Sequence, residues 1–172
     1  MKDWGKLIAK GESVKLEFKS TLRVDLKTNT PEKFIELNCL KTLAAFFNSN
    51  GGTLLIGVED NKNILGLGKD FHSFNKPDKL DEFQKHFDNL IQKTLGDRFQ
   101  RYLKFEFPEV DGKIICAVTN KSLVTSWIFA VNSPSGAINI KDNLLPLMVD
   151  RSLIICFIPL LPLQKKAFSL HL

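Results

Sequence analysis

The sequence has few cysteines and no cysteine pair with metal-binding spacing. The three cysteines, Cys39, Cys116 and Cys156, are far apart and lie among apolar neighbours, and no Cys-x-x-Cys occurs. Cysteines placed in this way are typical of buried free thiols in a reducing compartment. We therefore expect neither a disulfide framework nor a zinc site, and we expect a cytoplasmic protein.

Long apolar runs are also missing. No stretch of about 18 uncharged apolar residues occurs, which is the length that a membrane-spanning helix needs. The N-terminal residues, Met-Lys-Asp-Trp-Gly-Lys, contain no apolar run of signal-peptide length. The sequence therefore predicts no membrane partner.

Two common patterns of catalytic and ligand-binding residues are absent. The three histidines, His72, His86 and His171, have no ligand spacing relative to one another, which argues against zinc and against a Ser-His-Asp triad. Residues 66–70, Gly-Leu-Gly-Lys-Asp, lack the GxxxxGK[ST] spacing of a phosphate loop. Nucleotide binding is therefore the weakest of the functional alternatives.

Charged residues are abundant in the first two thirds of the chain and scarce in the rest. The net charge is +5 and the pI about 9.1, which favours a polyanionic partner such as nucleic acid. Residues 1–121 contain 20 Lys and Arg and 17 Asp and Glu, whereas residues 122–172 contain 4 and 2. We predict a domain over 1–121 and an atypical low-charge tail over 122–172, whose composition suggests a truncated or frame-shifted end.

Apolar spacing predicts three amphipathic helices. A short helix occupies residues 1–10 and ends at Gly11. A second helix starts at Thr30-Pro31 and stops at Asn48-Ser-Asn-Gly-Gly52, because Asn and Gly favour helix ends. A third runs from the N-cap Asp78 to Gly96. The expected inward stripe of the second helix is Phe34, Leu37, Leu40, Leu43 or Ala44, and Phe47.

Several segments have the pattern of strands. Val14–Phe18 alternates, which predicts a half-buried strand, whereas Thr53–Val58 is apolar on both faces and should lie in the middle of a covered sheet. The turn 59–63 should return as an antiparallel strand over 64–67, and Asp111-Gly112 should join strands over 103–107 and 113–118. The expected fold is α+β, with a mixed, mostly antiparallel sheet packed by two long amphipathic helices.

Four carboxylates flank two of these strands. Glu12 and Glu17 precede and occupy the first strand, while Glu59 and Asp60 follow the apolar strand. If the strands pair, the carboxylates can converge, and clustered carboxylates are what a hard divalent cation needs for phosphodiester chemistry. The alternative is that Glu12 and Glu17 are solvated surface charges and that Glu59-Asp60 only forms a turn.

A series of basic residues accompanies the first strand. If residues 14–23 stay extended, Lys15, Lys19 and Arg23 share one face and can follow the phosphates of a nucleic acid. Lys62, in the turn after the apolar strand, is a further candidate for phosphate contact. The alternative is an ordinary solvated strand face.

Two blocks of the chain resemble the AlbA-type DNA-binding domain shared with Schlafen proteins. The first block is Gly-Glu-Ser-Val-Lys-Leu-Glu-Phe-Lys-Ser over residues 11–20. The second is Leu-Ala-Ala-Phe-Phe-Asn-Ser-Asn-Gly-Gly-Thr-Leu-Leu-Ile-Gly-Val-Glu-Asp over 43–60, followed by Ile-Leu-Gly at 64–66. The resemblance covers about residues 5–121 and implies a nucleic-acid-binding α+β domain.

The Schlafen branch of this resemblance also implies metal-dependent RNA cleavage by three acidic residues. By position, two of them fall on Glu12 and Glu17, and the third on Glu59 or Asp60. Glu12, Glu17 and Asp60 form the expected ligand set for Mg or Mn. Schlafen cores clamp RNA between two related halves, so a homodimer could supply the half that this chain lacks.

The choice between DNA and RNA stays open at this stage, as does the question of catalysis. The alternative function is a non-catalytic transcription-regulator or interaction module, with nucleotide binding as a weaker third interpretation.

Overall fold

The computed structural model describes residues 2–120, and its helices and strands alternate in the manner of an α+β domain. The helices are α1 (Trp4–Lys10), α2 (Lys33–Phe47), α3 (Gly68–His72) and α4 (Lys79–Thr94), followed by a 3-10 helix at Asp97–Tyr102. The strands are β1 (Leu16–Lys19), β2 (Gly52–Ile56), β3 (Leu103–Glu106), β4 (Glu109–Val110), β5 (Lys113–Ile114) and β6 (Cys116–Asn120). The predicted domain boundary near residue 121 and the predicted tail lie outside the described residues.

One four-stranded sheet organises these elements, in the order β1-β2-β6-β3. β1 and β2 are parallel, with Glu17 opposite Leu54, whereas β6 is antiparallel to both β2 and β3. β4 and β5 form a separate hairpin. The sheet is therefore mixed and mostly antiparallel, which confirms the predicted fold class.

The apolar strand β2 lies in the middle of the sheet, with a hydrophobic cluster on each face. Leu54 and Ile56 belong to the cluster beneath α2 and α4, and Leu55 belongs to the cluster beneath α1. All three are fully buried. A strand covered on both faces gains from apolar residues at every position, which explains the absence of alternation in its sequence.

Local sequence signals explain where α1 and α4 begin and end. The side chain of Asp3 accepts the N–H of Lys6 at the start of α1, and Gly11 ends the helix at φ 83°. Asp78 likewise accepts the N–H of Asp81 at the start of α4. Side-chain oxygens at N-caps satisfy N–H groups that have no partner within the helix. The predicted N-cap at Asp78 and the predicted end at Gly11 are therefore confirmed, whereas the N-cap at Asp3 was not predicted.

The start of α2 differs from the prediction. The helix begins at Lys33, not at the predicted Thr30-Pro31, and Pro31 forms an isolated β-bridge with Val24. The N–H of Glu32 donates to the Arg23 carbonyl at 2.7 Å. This pairing requires extended backbone, so the helix cannot begin until the pairing has ended.

The inward stripe of α2 is also rotated relative to the prediction. Phe34, predicted to face the core, is 57% exposed. Leu40, Leu43 and Phe47 are buried as expected. The full buried set is Glu36, Cys39, Leu40, Leu43, Phe46 and Phe47. A stripe that begins at Phe34 and one that begins at Glu36 both fit spacings of three and four residues. The position of the helix on the sheet buries the stripe that begins at Glu36.

Two predicted strand segments are shorter than expected. Val14 is 88% exposed because Ser13 and Leu16 bond to each other and turn the chain before β1 begins. After the turn at 59–63, only Ile64 pairs, in an isolated bridge with Val58. The predicted strand over 64–67 is therefore wrong, because β6 already occupies the free edge of β2.

The Asp111-Gly112 turn forms as predicted, with both residues at positive φ (51° and 72°). The returning segment is divided, because β5 pairs with β4 in the hairpin while β6 pairs with β2 and β3.

Cys39 and Cys116 are buried free thiols, which confirms that part of the sequence analysis. Burial raises the pKa of the Cys39 thiol to about 12, and burial likewise raises the pKa of Cys116 well above its ordinary value. Both thiols are therefore unreactive. Cys156 lies outside the described residues.

Candidate nucleic-acid interface

The outer edge of β1 is closed by polar groups from residues beside it. The N–H and C=O groups of Leu16 bond to Ser13 at 3.1 and 2.8 Å. Glu12 Oε1 accepts the N–H of Phe18 at 2.8 Å, and the Lys19 ammonium donates to the Phe18 carbonyl at 2.9 Å. Unpaired strand edges invite pairing with other chains, so this local bonding protects β1 from such pairing.

Glu12 and Glu17, the first two predicted acids, lie beside the same strand in different environments. Glu12 lies in the loop before β1, is exposed, and reaches the strand from outside. Glu17 Oε1 is 2.5 Å from the Lys19 ammonium. Its register partner Leu54 belongs to the cluster beneath α2. Glu17 therefore points to the α2 side of the sheet, whereas Glu12 lies at the sheet edge.

The turn after β2 contains both candidates for the third acid and rests against the end of α1. Glu59 Oε2 accepts from the side-chain amide of Asn63 at 2.7 Å, while Asp60 is exposed. Lys62 Nζ donates to the carbonyl of Ala9 at 3.0 Å. The last carbonyls of a helix lack partners within it, so Lys62 attaches the turn to the end of α1.

The four predicted acids do not form a metal site in the described part of the chain. Among residues 2–120, no group of three or more His, Cys, Asp or Glu side chains is arranged to hold a metal ion. Three of the acids already bond to protein groups: Glu12 to a backbone N–H, Glu17 to an ammonium and Glu59 to the side-chain amide of Asn63. A divalent cation needs several oxygen ligands, so a metal ion bound by these acids would have to displace the bonds that they already form. The catalytic and metal-binding roles of Glu12, Glu17, Glu59 and Asp60 stay predictions.

A basic groove of about 250 Å³ lies between α1 and the start of β1. We call it the α1–β1 groove; its lining includes Lys2, Lys10, Glu12, Ser13, Lys15 and Thr53. The ammonium of Lys2 lies 4.2 Å from the centroid of the Trp4 ring. Within residues 2–120, the side chains of Lys10 and Lys15 form no ion pair. Three lysines around one carboxylate give the groove a net positive charge.

Gly11 connects the groove to the turn after β2. Its φ of 83° is in the region that favours glycine, and a Cβ atom there would lie 3.2 Å from Cε of Lys62. Lys62 therefore packs directly against the residue that ends α1 and precedes Glu12. The parallel register places Lys15 beside the start of β2, whereas Lys62 follows its C-terminal end, so the structure does not bring these two predicted basic residues to the same end of the sheet.

The predicted basic face of Lys15, Lys19 and Arg23 does not form. β1 ends at Lys19, so the chain is not extended over 14–23 as that face requires. Arg23 Nε lies 3.4 Å from Glu36 Oε1. The Arg23 side chain is 21% exposed and points towards Glu36 of α2, away from a shared face with Lys15 and Lys19.

Sequence reasoning missed an interior polar cluster. Glu36 Oε1 lies 2.7 Å from Nε2 of His86, a residue interpreted as a surface or structural histidine. The fully buried carboxylate of Asp70 accepts the N–H groups of Leu22 and Arg23 at 2.8 and 3.0 Å. Burial raises the pKa of Asp70, and these backbone N–H groups oppose that rise. Its partners are 47 and 48 residues away, so no local signal could have revealed them.

Comparison with known proteins identifies the class to which this α+β domain belongs. The family model described as Schlafen, AlbA_2 matches residues 12–140, three quarters of the chain. The chain therefore belongs to the Schlafen AlbA_2 family, which confirms the resemblance seen in the sequence. Membership supports a nucleic-acid-related domain. No curated protein matches the chain.

No helix within residues 2–120 has the length and apolar character needed to cross a membrane.

Proposed function

We propose that this domain binds nucleic acid through the α1–β1 groove. The observation that carries the proposal is the convergence of Lys2, Lys10 and Lys15 on one groove, two of them without an ion-pair partner among the described residues. A lysine that is already paired must break its pair before it contacts a phosphate. Lys10 and Lys15 need no such exchange, so they are the residues best suited to that contact.

Electrostatics supports the same surface. Lysines that neutralise phosphates release condensed counterions, which provides most of the sequence-independent affinity for nucleic acid. Lys62 does not line the groove but packs against Gly11, which does, and its ammonium donates to the carbonyl of Ala9. The net charge of +5 favours association with a polyanion at a distance.

The contacts of the acids favour a binding module over a nuclease. Glu12 completes the edge of β1, and Glu17 neutralises Lys19, so both carboxylates already stabilise the fold. Both DNA and RNA carry the phosphates that the groove would contact, so the test uses both. The homodimer stays a prediction.

The test measures the affinity of the full chain for a labelled oligonucleotide over a range of salt concentrations. In the double variant Lys10→Gln/Lys15→Gln, two phosphate contacts are lost. The slope of log K against log salt should become shallower by about 1.4 to 1.8, because each contact contributes about 0.7 for single strands and 0.9 for duplex DNA. Binding at low salt should weaken accordingly.

The matched control is Lys41→Gln/Lys93→Gln, which removes the same charge from exposed positions on α2 and α4. If the two double variants lose affinity equally, net charge and not the groove controls binding. If the unaltered chain binds neither DNA nor RNA at low salt, the proposed function is wrong.

A further inference from the structure

We infer that the domain prefers unpaired nucleotides and that Phe34 stacks on one of their bases. The inference deepens the proposed function and depends on it. It starts from the unexpected exposure of Phe34 at the first turn of α2. Phe34 is the one aromatic residue among the large apolar side chains exposed within residues 2–120; the others are Val14, Leu26 and Ile114.

Phe34 lines a second groove, which we call the β1–α2 groove, of about 290 Å³. The lining residues that matter are Lys19, Ser20, Leu26, Lys27, Phe34 and Asn38. The groove thus combines an exposed aromatic ring, aliphatic side chains, an amide, hydroxyl groups and two lysines with one carboxylate, that of Asp25, which accepts the backbone N–H of Lys27.

The lining offers one contact each for the face of a base, the edge of that base and a phosphate. The flat face of a base can stack on the ring of Phe34, and the amide of Asn38, which is exposed, can bond the base edge. Lys27 is exposed and its ammonium forms no ion pair with another residue in the range 2–120. Lys27 is therefore available to a phosphate, whereas Lys19 is held by Glu17.

A duplex could not use the groove in this way. Its bases are stacked on one another, so it offers phosphates to Lys27 but no free base face to Phe34. A second copy of the chain is also a poorer match, because each copy has a net charge of +5, so two copies repel each other at a distance.

The two grooves lie at opposite ends of β1. The α1–β1 groove includes Lys15 and Leu16, and the β1–α2 groove includes Lys19 and Ser20. A strand rises about 3.3 Å per residue, so the ends of β1 are separated by roughly 10 Å. The first groove lies on the α1 side of the sheet and the second on the α2 side, so a single strand that contacts both must pass around the edge strand β1.

The test compares one labelled oligonucleotide of about twelve nucleotides, a length within the usual site sizes for single strands, with the same oligonucleotide annealed to its complement. In Phe34→Ala, the affinity of the full chain for the single strand should fall by about 5-fold or more, since stacking on one aromatic ring contributes this much. The affinity for the duplex should not change. Phe34→Trp should retain single-strand affinity, and its added indole fluorescence should be quenched on binding.

Ile114→Ala is the control, because it removes a partly exposed apolar side chain from β5, outside both grooves. Unchanged single-strand affinity in Phe34→Ala would overturn the inference. An equal loss of affinity for the single strand and the duplex would also overturn it, as would a Phe34→Trp variant that binds the single strand as weakly as Phe34→Ala. Sedimentation gives a further decisive result: a dimer that Phe34→Ala converts to monomer would assign this face to a second copy. Binding lost in Lys10→Gln/Lys15→Gln but kept in Phe34→Ala would refute this inference alone, whereas an unaltered chain that binds neither probe would refute both proposals.

Discussion

β1 and β2 are adjacent parallel strands, yet the two differ in almost every physical respect. β2 is paired on both edges and covered on both faces, and its Leu54, Leu55 and Ile56 are fully buried. β1 is paired on one edge only, and side chains of Glu12 and Lys19 bond to its outer edge. Stability is therefore concentrated in β2, while the groups able to meet a partner lie around β1.

The difference shows how one sheet can contain a fully buried central strand and an edge strand surrounded by charged side chains. An edge strand must satisfy its outer N–H and C=O groups without pairing to another chain. Charged side chains do this around β1, and the same requirement keeps lysines and glutamates close together there. Glu12 of the first groove and Lys19 of the second are the groove residues whose side chains bond to this edge.

Shortening a side chain in the central strand should have the largest effect. Leu55→Ala should lower the free energy of unfolding by about 2–5 kcal/mol, because it leaves a cavity among fully buried neighbours. Val14→Ala, beside β1, is the matched control at 88% exposure and should change stability by less than about 0.5 kcal/mol. Urea unfolding followed by circular dichroism measures both, and similar effects would contradict the contrast between the strands.

Loss of the buried carboxylate that holds the chain after β1 should have the next largest effect. Asp70→Ala leaves the N–H groups of Leu22 and Arg23 without their acceptor, and should cost about 2–4 kcal/mol. Asp70→Asn retains one carbonyl oxygen and should cost less. Hydrogen exchange at the amides of Leu22 and Arg23 should accelerate in both variants. Unchanged exchange would show that Asp70 does not hold this segment.

Removing one negative charge from the α1–β1 groove should have the smallest effect and is the most informative about function. Glu12→Gln retains an oxygen that can accept the N–H of Phe18, so stability should change by less than about 1 kcal/mol. Affinity for nucleic acid at low salt should rise, since a carboxylate beside Lys10 and Lys15 repels phosphate. Binding titrations with and without a chelator measure the effect.

The control for this variant is Glu109→Gln, which removes an equal charge from an exposed position in β4. Under the proposed function, chelation leaves the affinity of both variants unchanged. A lower affinity or a lost RNA cleavage activity in Glu12→Gln, together with a requirement for Mg or Mn, would instead support the catalytic role predicted from the family resemblance.

The parts of the fold that the sequence predicts well are those that depend on neighbouring residues. Asp78 begins α4, Gly11 ends α1, and Asp111-Gly112 makes a turn, because each signal acts within a few residues. Family membership also follows from short blocks of sequence, and the family match confirms it.

The errors occur where a distant segment competes for the same position. The segment 64–67 has a strand-like sequence, but it cannot pair along β2 because β1 and β6 occupy both edges of that strand. Phe34 has helical spacing but lies outside the contact between α2 and the sheet. Neither outcome follows from periodicity. The spacing of apolar residues indicates whether a segment is a helix or a strand, but it does not indicate which other element packs against it.

The sequence alone determined that this chain has a buried central strand, a half-buried strand with charged neighbours, and amphipathic helices whose ends at Gly11 and Asp78 are marked by local signals. These properties follow from residue type, spacing and local hydrogen bonding. Tertiary structure decided that Glu12 bonds to Phe18, that Arg23 turns towards Glu36, and that Lys10 and Lys15 share a groove. Each of these depends on which elements pack together, because side-chain contacts across a fold are fixed by the position of whole helices and strands.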